Sequence, residues 1–240
     1  MGLRDHYRQF EAETPEEASR RLRAEAAERR RRALERVDPV DLSSTTWLHL
    51  PPAAVVDAVT FAALRGLHRA PDPAAGELRA ELAHRVGVPP GLVVVGAGAA
   101  QLLAAAAQAL LRPGDELVVP WPSHPLLPLV ARRARATAVP APGFGAEAVL
   151  AAVGGRTRAV ALCNPNDPTG AWLDEPTLAA LLDALPERVA VLLDEALVEY
   201  APRPATRLVE RFPRLLAVRT FSKAWGLAGL RVGYAVGGPG

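Results

Sequence analysis

The feature that most constrains the fold is an alternation of short, mostly apolar segments with helical segments. Helices are predicted at residues 53–66, 75–86, 98–111, 123–134, 145–153 and 175–185. Buried strands are predicted at Leu92–Val95, Glu116–Val119, Thr137–Val139, Arg158–Leu162, Ala190–Leu193, Leu216–Thr220 and Arg231–Ala235. Such an alternation is typical of a mostly parallel sheet that is covered on both faces. The sequence therefore predicts a three-layer α/β domain with a seven-stranded sheet.

The N-terminal region differs from the rest of the chain. Residues 15–37 are rich in Ala, Arg and Glu and favour an exposed helix, which Asp38-Pro39 would end. We expect residues 1–44 to form an N-terminal helical arm and residues 45–240 to form the large domain. The sequence stops after the last predicted strand without a closing helix, so we expect the protein to be interrupted at that point.

Charge and cysteine content limit the partners and the compartment. The net charge is only +2, and the basic run Arg29 to Arg32 lies among Glu residues, so no nucleic-acid partner is predicted. The single cysteine, Cys163, excludes an internal disulfide framework and a multi-cysteine metal site. The N-terminus is charged from Arg4 onward and has no apolar core, so no signal peptide is predicted, and we also expect no membrane span. A cytoplasmic protein is expected.

One basic residue stands out from this composition. Of the 28 basic residues, Lys223 is the only lysine and all the others are arginines. Arginine cannot form an imine with an aldehyde, because its guanidinium group stays protonated. Lys223 is therefore either a lysine whose amine chemistry is needed or a residue that has survived by chance.

Lys223 lies in the segment Thr220–Tyr234, which follows a predicted strand. Ser222 offers a hydroxyl and Arg231 a forked cation to a phosphate, and hydrogen bonds to charged groups are worth roughly 1.5–3 kcal/mol each. Lys223 could bind an aldehyde cofactor and then act as a general acid and base. The alternative is a glycine-rich surface loop with ordinary charges.

Polar and aromatic residues also follow other predicted strands, where ligands of such sheets bind. Asp194 is either a partner for a pyridinium nitrogen or a helix N-cap. Asp167 lies in a Pro/Asn turn, which needs no function to explain it. Trp121 could stack on a pyridine ring, although a Trp is more often plain core. His124 could hydrogen-bond Asp194 and hold its orientation.

The segment Gly96–Gln101 is a glycine-rich turn between a predicted strand and a predicted helix. Backbone amides at such a helix start bind phosphate well. The segment nearly matches a dinucleotide fingerprint, with Gln101 where Gly or Ala is expected, and Asp115 follows at about the right distance for a ribose contact. A nucleotide-binding oxidoreductase is therefore an alternative, although it gives no role to Lys223.

In their order along the chain these elements resemble the fold-type I enzymes that use pyridoxal phosphate (PLP). Within them, the chain is most similar to the class I/II aminotransferases of the histidinol-phosphate aminotransferase-like group. The segments Asp41–Ser44, Pro71–Pro73 and Leu78-Arg79 share this resemblance, which covers roughly residues 41–236. It implies a homodimer that has PLP as its cofactor and transfers an amino group between an amino acid or amine and a 2-oxo acid. A PLP-dependent decarboxylase or lyase, or a truncated fragment without activity, remains an alternative.

The resemblance also implies a role for each candidate residue. The Schiff-base lysine, the partner of the pyridine nitrogen and the stacking residue would be Lys223, Asp194 and Trp121. The phosphate would be held by two backbone amides and two side chains, those of Ala99, Ala100, Ser222 and Arg231. Asp167 occupies the position that usually carries Asn beside the phenolic oxygen, and His124 would lie behind the carboxylate.

Three positions depart from the family pattern. An ionised Asp167 is only an acceptor and would repel a phenolate. Leu197 stands where the family often has a Tyr that donates to the same oxygen, and Ala70 stands where a Tyr often reaches the phosphate in the neighbouring subunit. We therefore expect a PLP site that is weaker or differently tuned. In the family, the arginine that binds the substrate carboxylate belongs to a smaller C-terminal domain, and no residue here can be assigned that role.

Overall fold

The computed structural model describes residues 14–35 and 44–238, which divide into two compact units at Thr45–Thr46. The first unit contains helix α1 (Pro15–Leu34), which begins at a capping box. The Thr14 hydroxyl accepts a hydrogen bond from the Glu17 amide at 3.3 Å, and the Glu17 carboxylate accepts one from the Thr14 amide at 3.0 Å. Exposed arginine–glutamate pairs three or four residues apart support the rest of this helix. The predicted helix end at residue 37, and Asp41–Ser43, lie outside the described residues.

The second unit begins at Thr46 and contains the predicted helices and strands. The helices are α2 (Ala53–Gly66), α3 (Gly76–Val86), α4 (Ala99–Leu110), α5 (Leu126–Arg133), α6 (Ala146–Ala152) and α7 (Glu175–Ala184). The strands are β1 (Val93–Gly96), β2 (Glu116–Trp121), β3 (Thr137–Pro142), β4 (Thr157–Cys163), β5 (Ala190–Asp194), β6 (Leu215–Thr220) and β7 (Gly233–Gly237). Short 3₁₀ helices lie at Pro90–Leu92, Val198–Tyr200, Thr206–Glu210 and Ala228–Leu230. The prediction of these elements is confirmed, with ends displaced by up to three residues.

The seven strands form one sheet in the order β1-β7-β6-β5-β4-β2-β3. Neighbouring strands from β6 to β3 are parallel, whereas β7 pairs antiparallel with both β1 and β6. The mostly parallel α/β fold is therefore confirmed. The predicted last strand starts two residues late, at Gly233, because Arg231 adopts a left-handed conformation (φ 53°, ψ 48°) that a strand cannot contain.

Alternate side chains of each strand face opposite sides of the sheet and feed two separate cores. On one side, Leu192, Val218 and Ala235 pack with apolar residues of α4 and α5. On the other side, Val191 and Ala217 pack with residues of α3, α6 and α7. Each strand is therefore apolar on both faces in its centre, and polar side chains can be accommodated only near its ends.

Within the described residues, no helix combines the length and the hydropathy that crossing a bilayer requires.

Candidate active site

A cavity of about 280 Å³ opens at the carboxyl ends of β4, β5 and β6, beside the start of α4. This is close to the lower end of the range of about 300–1,000 Å³ for small-molecule sites. Its lining residues come from six separate segments and are Thr46, Ala99, Ala100, His124, Leu126, Cys163, Asp167, Asp194, Ala196, Leu197, Thr220, Ser222, Lys223, Ala228 and Arg231. The structure thus brings together every predicted site residue except Trp121.

The start of helix α4 forms one end of the cavity, and two glycines shape it. Gly98 has φ +81° and ψ 168°, a conformation that is essentially restricted to glycine. A Cβ atom on Gly233 of β7 would lie 2.9 Å from the Ala99 nitrogen, so only a glycine lets this strand approach the helix start. The first amides of a helix have no partner within the helix. A helix start of this kind favours an anion beside the amides at Ala99 and Ala100.

Arg231 brings a positive charge to the same end. Its Nη2 lies 2.7 Å from the position that a Cβ atom on Gly98 would occupy, so the guanidinium rests against the turn before α4. Its Nη1 donates to the Ser222 hydroxyl at 3.2 Å and to the Ala228 carbonyl at 2.9 Å. Thr220 donates a hydrogen bond to Ser222 at 3.1 Å. The left-handed backbone of Arg231 is a strained conformation of the kind that functional sites retain.

Asp194 provides a buried carboxyl group at the end of β5. It is only 3 % exposed, and its Oδ1 accepts a hydrogen bond from the Ala196 amide at 3.0 Å. Burial raises the pKa of Asp194 to about 6, while the Ala196 amide and the charges of His124 and Lys223 act in the opposite direction. The carboxyl group therefore changes its charge in the mildly acidic range and responds to any cation placed beside it.

Lys223 lies on the loop between β6 and β7. Two backbone hydrogen bonds fix this loop: the Gly226 amide donates to the Lys223 carbonyl at 2.9 Å, and the Leu227 amide donates to the Phe221 carbonyl at 2.9 Å. The amine-bearing side chain lines the cavity with Asp194, and its positive charge stabilises the ionised form of that carboxyl group. An amine and a buried acid therefore face one cavity.

His124 and Trp121 occupy different environments. His124 lines the cavity, and its Nδ1 accepts a hydrogen bond from the Leu126 amide at 3.2 Å, so the proton of the neutral ring is assigned to Nε2. The hydrogen bond that orients Asp194 comes from the Ala196 amide, and orientation by His124 stays a prediction. Trp121 ends β2, is 51 % exposed and does not line the cavity, so ring stacking also stays a prediction.

The polar side chains of the turn after β4 have two kinds of surroundings: two are bonded within the protein, and one lies at the cavity. The Asn164 amide group is buried and pairs with both the nitrogen and the oxygen of Leu173, each at 2.9 Å. Asn166 is also buried; it accepts from the Ser123 hydroxyl at 2.6 Å and donates to the Pro122 carbonyl at 3.0 Å. Of the turn's polar side chains, only that of Asp167 reaches the cavity wall.

The sequence did not single out several residues of the cavity wall as site residues, among them Thr46, Cys163 and Thr220. Cys163 pairs in register with Asp194 across β4 and β5, which places both side chains on the α4 side of the sheet. Burial, together with the charge of Asp194, raises the pKa of this thiol far above its ordinary range, so it is neutral. Cys163 could have been identified as a neighbour of Asp194 only if the pairing of β4 with β5 had been known.

Two of the three departures lie at the cavity. Asp167 and Leu197 both line it, so an acid and an apolar side chain stand where the resemblance implies an amide and a phenol. Ala70 is exposed and does not line it.

The comparison with known proteins decides the family. The profile described as aminotransferase class I and II matches residues 37–239. The chain belongs to the class I and II aminotransferase family. Among curated members, it is 42% identical to the aromatic amino acid aminotransferase of Corynebacterium efficiens over 84% of this chain and 62% of the relative. It is 41% identical to histidinol-phosphate aminotransferase 1 of Nitrosococcus oceani over 79% of this chain and 53% of the relative.

Solved structures of this aminotransferase family have the same fold. Histidinol-phosphate aminotransferase from Sinorhizobium meliloti, solved in complex with PLP, has a TM-score of 0.73 and 32% identity, over 79% of this chain and 53% of that one. Aspartate aminotransferase from Thermus thermophilus, solved with maleate, has a TM-score of 0.75 and 29% identity, over 99% of this chain and 65% of that one. The chain thus spans about half to two thirds of the length of the relatives it matches.

Family membership and topology together overturn the oxidoreductase alternative. In a dinucleotide-binding fold, the strand before the glycine turn lies centrally among parallel strands. Here β1 is an edge strand of the sheet and pairs antiparallel with β7. The Gln101 side chain also binds within its own turn, because its Oε1 accepts a hydrogen bond from the Ala97 amide at 3.2 Å.

Proposed function

We propose that this chain is the PLP-binding part of an aminotransferase that moves an amino group between an amino acid or amine and a 2-oxo acid. The observation that carries the proposal is the meeting of three kinds of group in one cavity. These are the only lysine of the chain, a buried carboxyl group at a strand end, and an anion site made of a helix start, Ser222 and Arg231. Family membership supports the same activity.

The residues that line the cavity fit PLP group by group. We call Gly98, Ala99, Ala100, Ser222 and Arg231 the phosphate end, because their amides, hydroxyl and guanidinium suit a dianion. We call Asp167, Asp194 and Leu197 the ring end. When bound, PLP supplies an aldehyde that takes up amines and a pyridine ring that stores an electron pair. The cavity volume and the presence of both groups of residues in one lining support this cofactor.

Each side chain then has a defined role. Lys223 would hold the aldehyde through Nζ and would also serve as a general acid and base. Asp194 would accept a hydrogen bond from a protonated ring nitrogen and would keep that nitrogen charged. Burial raises the pKa of Asp194 to about 6, and a cation beside it would lower that pKa, so the carboxylate would stay ionised into the mildly acidic range. The phosphate end anchors the cofactor without taking part in proton transfer.

For the amino donor, we propose an aromatic amino acid, with histidinol phosphate as the second candidate. The names of curated relatives support this order, because relatives that are 39% to 45% identical include several aromatic amino acid aminotransferases and a histidinol-phosphate aminotransferase. The acceptor would be a 2-oxo acid. A cytoplasmic location stays a prediction.

A PLP-dependent decarboxylase is the second candidate. L-threonine-O-3-phosphate decarboxylase from Porphyromonas gingivalis has a TM-score of 0.69 and 25% identity over 81% of this chain. The same cofactor half can therefore serve the loss of CO₂, and the fold does not choose the bond that breaks. Incubation with a carboxyl-labelled amino acid separates the two, since release of labelled CO₂ would replace formation of a 2-oxo acid.

The cofactor proposal is tested by adding PLP to the purified 240-residue chain. We expect a visible absorbance band that borohydride reduction fixes on the peptide containing Lys223. The control is Lys223→Arg, which keeps the positive charge but cannot form an imine. Because the only other primary amine is the N-terminus, peptide mapping assigns the adduct without ambiguity. A parent protein that gives no band, or an equal band from the Lys223→Arg variant, refutes the proposal.

We also propose a homodimer, because helix α2 has a large apolar surface. None of its residues is buried, and Phe61 and Leu64 are 60% and 78% exposed. An apolar cavity of about 250 Å³ lies between Val56 and Val59 of this helix and the Leu227–Leu230 region of the Lys223 loop. Contiguous exposed apolar surface of this kind marks a protein interface. The apolar surface is thus continuous with the loop that carries the cofactor lysine.

Sedimentation analysis tests the dimer. Phe61→Asp with Leu64→Glu should convert the parent dimer to monomer, because the charges would be buried without partners. The control is Leu129→Glu, which alters a 39% exposed leucine on α5 and should leave the dimer intact. A parent that sediments as a monomer would contradict this proposal.

A further inference from the structure

A buried polar network lies on the opposite face of the sheet from the cavity. Glu195, which is 1% exposed, forms an ion pair with Arg219, with 2.8 Å between Oε2 and Nε. The same carboxylate accepts hydrogen bonds from the Ala205 amide at 3.0 Å and from the Thr206 hydroxyl. Arg219 also donates to Thr206 and, at 3.3 Å, to the Tyr234 hydroxyl. The Glu195 carboxylate is thus bound by both charge and hydrogen bonds.

The position of this network along the chain is unusual. Glu195 directly follows Asp194, Arg219 directly precedes Thr220, and Tyr234 directly follows Gly233. Those three neighbours all belong to the opposite face: Asp194 and Thr220 line the cavity, and Gly233 packs on the start of α4. Side chains alternate along a strand, so Glu195 and Arg219 each lie behind one wall residue of the cavity, and Tyr234 lies behind the glycine that packs on α4.

The strand register aligns these three pairs across the sheet. Arg219 lies opposite Tyr234 and Thr220 opposite Gly233 in the β6–β7 pairing. The Glu195 amide continues the β5–β6 ladder by donating to the Val218 carbonyl at 2.8 Å. One network therefore ties the carboxyl ends of β5 and β6 and the start of β7 to the segment at Ala205–Thr206, at the level where the cavity begins.

We infer that Glu195, Arg219 and Tyr234 are positioning residues that set the placement of Asp194 relative to Lys223. This inference rests on the proposed PLP site and adds residues that do not contact the cofactor. Asp194 ends β5, and Lys223 lies three residues beyond the end of β6, so their separation depends on how these two strand ends are held. A displacement of about 1 Å in such a pair can lower the rate of chemistry on the order of 100-fold.

The test removes the whole ion pair rather than half of it. Removing one partner would leave a buried charge and could unfold the protein, whereas replacing both partners with neutral side chains of similar size is often tolerated. The variant is Glu195→Gln with Arg219→Met. The matched control is Glu116→Gln with Arg156→Met, which removes a 2.6 Å ion pair at the other end of the sheet. Tyr234→Phe, which removes one hydroxyl, is the milder second variant.

The first measurement is the dissociation constant of PLP and the rate at which it becomes fixed on Lys223. In the Glu195→Gln/Arg219→Met variant we expect adduct formation slower by at least about tenfold, the equivalent of roughly 1.4 kcal/mol, with a smaller loss in Tyr234→Phe. Thermal melting should stay close to that of the control pair variant. An unchanged rate in a folded variant overturns the inference, because the network would then only stabilise the fold.

The second measurement does not need PLP. Lys223 is the only lysine, so reductive ¹³C-methylation gives one lysine signal, whose chemical shift follows the ionisation of the nearby Asp194 as the pH passes through about 6. We expect its midpoint to move in the Glu195→Gln/Arg219→Met variant and to stay in place in the control. If the parent and the Glu195→Gln/Arg219→Met variant have the same midpoint, the inference is overturned. Failure of the parent to bind PLP would refute the proposed cofactor, and this measurement would still test the inference.

Discussion

The two ends of the cavity depend on different kinds of group. At the proposed phosphate end, the start of α4, a restricted glycine conformation and the Ser222–Arg231 contact lie together. At the proposed ring end, Asp167 and Leu197 stand where the resemblance implies side chains that donate hydrogen bonds to the cofactor. The phosphate end depends largely on backbone geometry, which the packing of α4 against β7 fixes. The ring end depends on individual side chains, which can change without disturbing the fold.

The largest expected effect concerns Asp194 at the ring end. Without PLP, burial holds the pKa of Asp194 at about 6, above its ordinary value of 3.8. The folded state then binds the proton more tightly than the unfolded state, so stability falls as the pH rises through about 6, by up to roughly 3 kcal/mol. In Asp194→Asn the free energy of unfolding should not show this decrease, and the variant should be more stable than the parent at neutral pH. Urea unfolding between about pH 4 and pH 8 measures it, and parallel stability curves would contradict it.

Arg231 tests whether the phosphate end is a separate binding element. Arg231→Met should weaken PLP binding about 10- to 100-fold, because one or two charge-assisted hydrogen bonds of roughly 1.5–3 kcal/mol are lost. Binding of pyridoxal, which lacks the phosphate, should be unchanged. The control is Arg207→Met, which removes an arginine whose side chain is 70% exposed and does not line the cavity. Equal losses for both ligands would show that the two ends do not act separately.

Gly98 tests the phosphate end through its backbone conformation. Gly98→Ala should destabilise the fold by about 1–3 kcal/mol, because φ +81° with ψ 168° excludes other residues. It should also weaken PLP binding, since the new methyl group would displace Arg231. Gly87→Ala is a matched control, because Gly87 has the same φ of +81° but open space at its Cβ position. It should lose stability and keep its PLP affinity, as calorimetry and ligand titration would show.

The smallest expected effect is a gain at the ring end. Asp167→Asn should tighten the binding of PLP and of pyridoxal alike by about fivefold, the equivalent of roughly 1 kcal/mol for one recovered hydrogen bond. Adding Leu197→Tyr should increase the gain. If the parent protein already binds both ligands as tightly as the double variant, the ring end is not weakened by its departures.

Much of the fold could be predicted because strand and helix patterns are local. The apolar segments predicted all seven strands, and the carboxyl-end rule placed Asp194 and Lys223 at one edge of the sheet. The insertion of β7 between β1 and β6 could not be predicted, since strand order depends on contacts between distant segments.

The prediction that Lys223, Asp194 and Arg231 lie near one another is confirmed, because all three line one cavity, whereas their roles stay predictions. The sequence missed features that depend on the direction of a side chain. Sequence does not show that Asn164 and Asn166 turn inward to bind backbone while Asp167 faces the cavity. It also does not show that Trp121 lies outside the lining, or that Glu195 and Arg219 pair behind the cavity.

The position of β7 has a consequence for how the chain folds during synthesis. β1 is made early, but its hydrogen-bonding partner in the sheet is β7, the last strand of the described chain. While the ribosome is still translating, the edge of β1 is unpaired and the start of α4 lacks the glycine that packs against it. Such late, long-range pairing slows folding and leaves strand edges exposed to aggregation. We therefore expect the nascent chain to need chaperone protection until β7 has emerged.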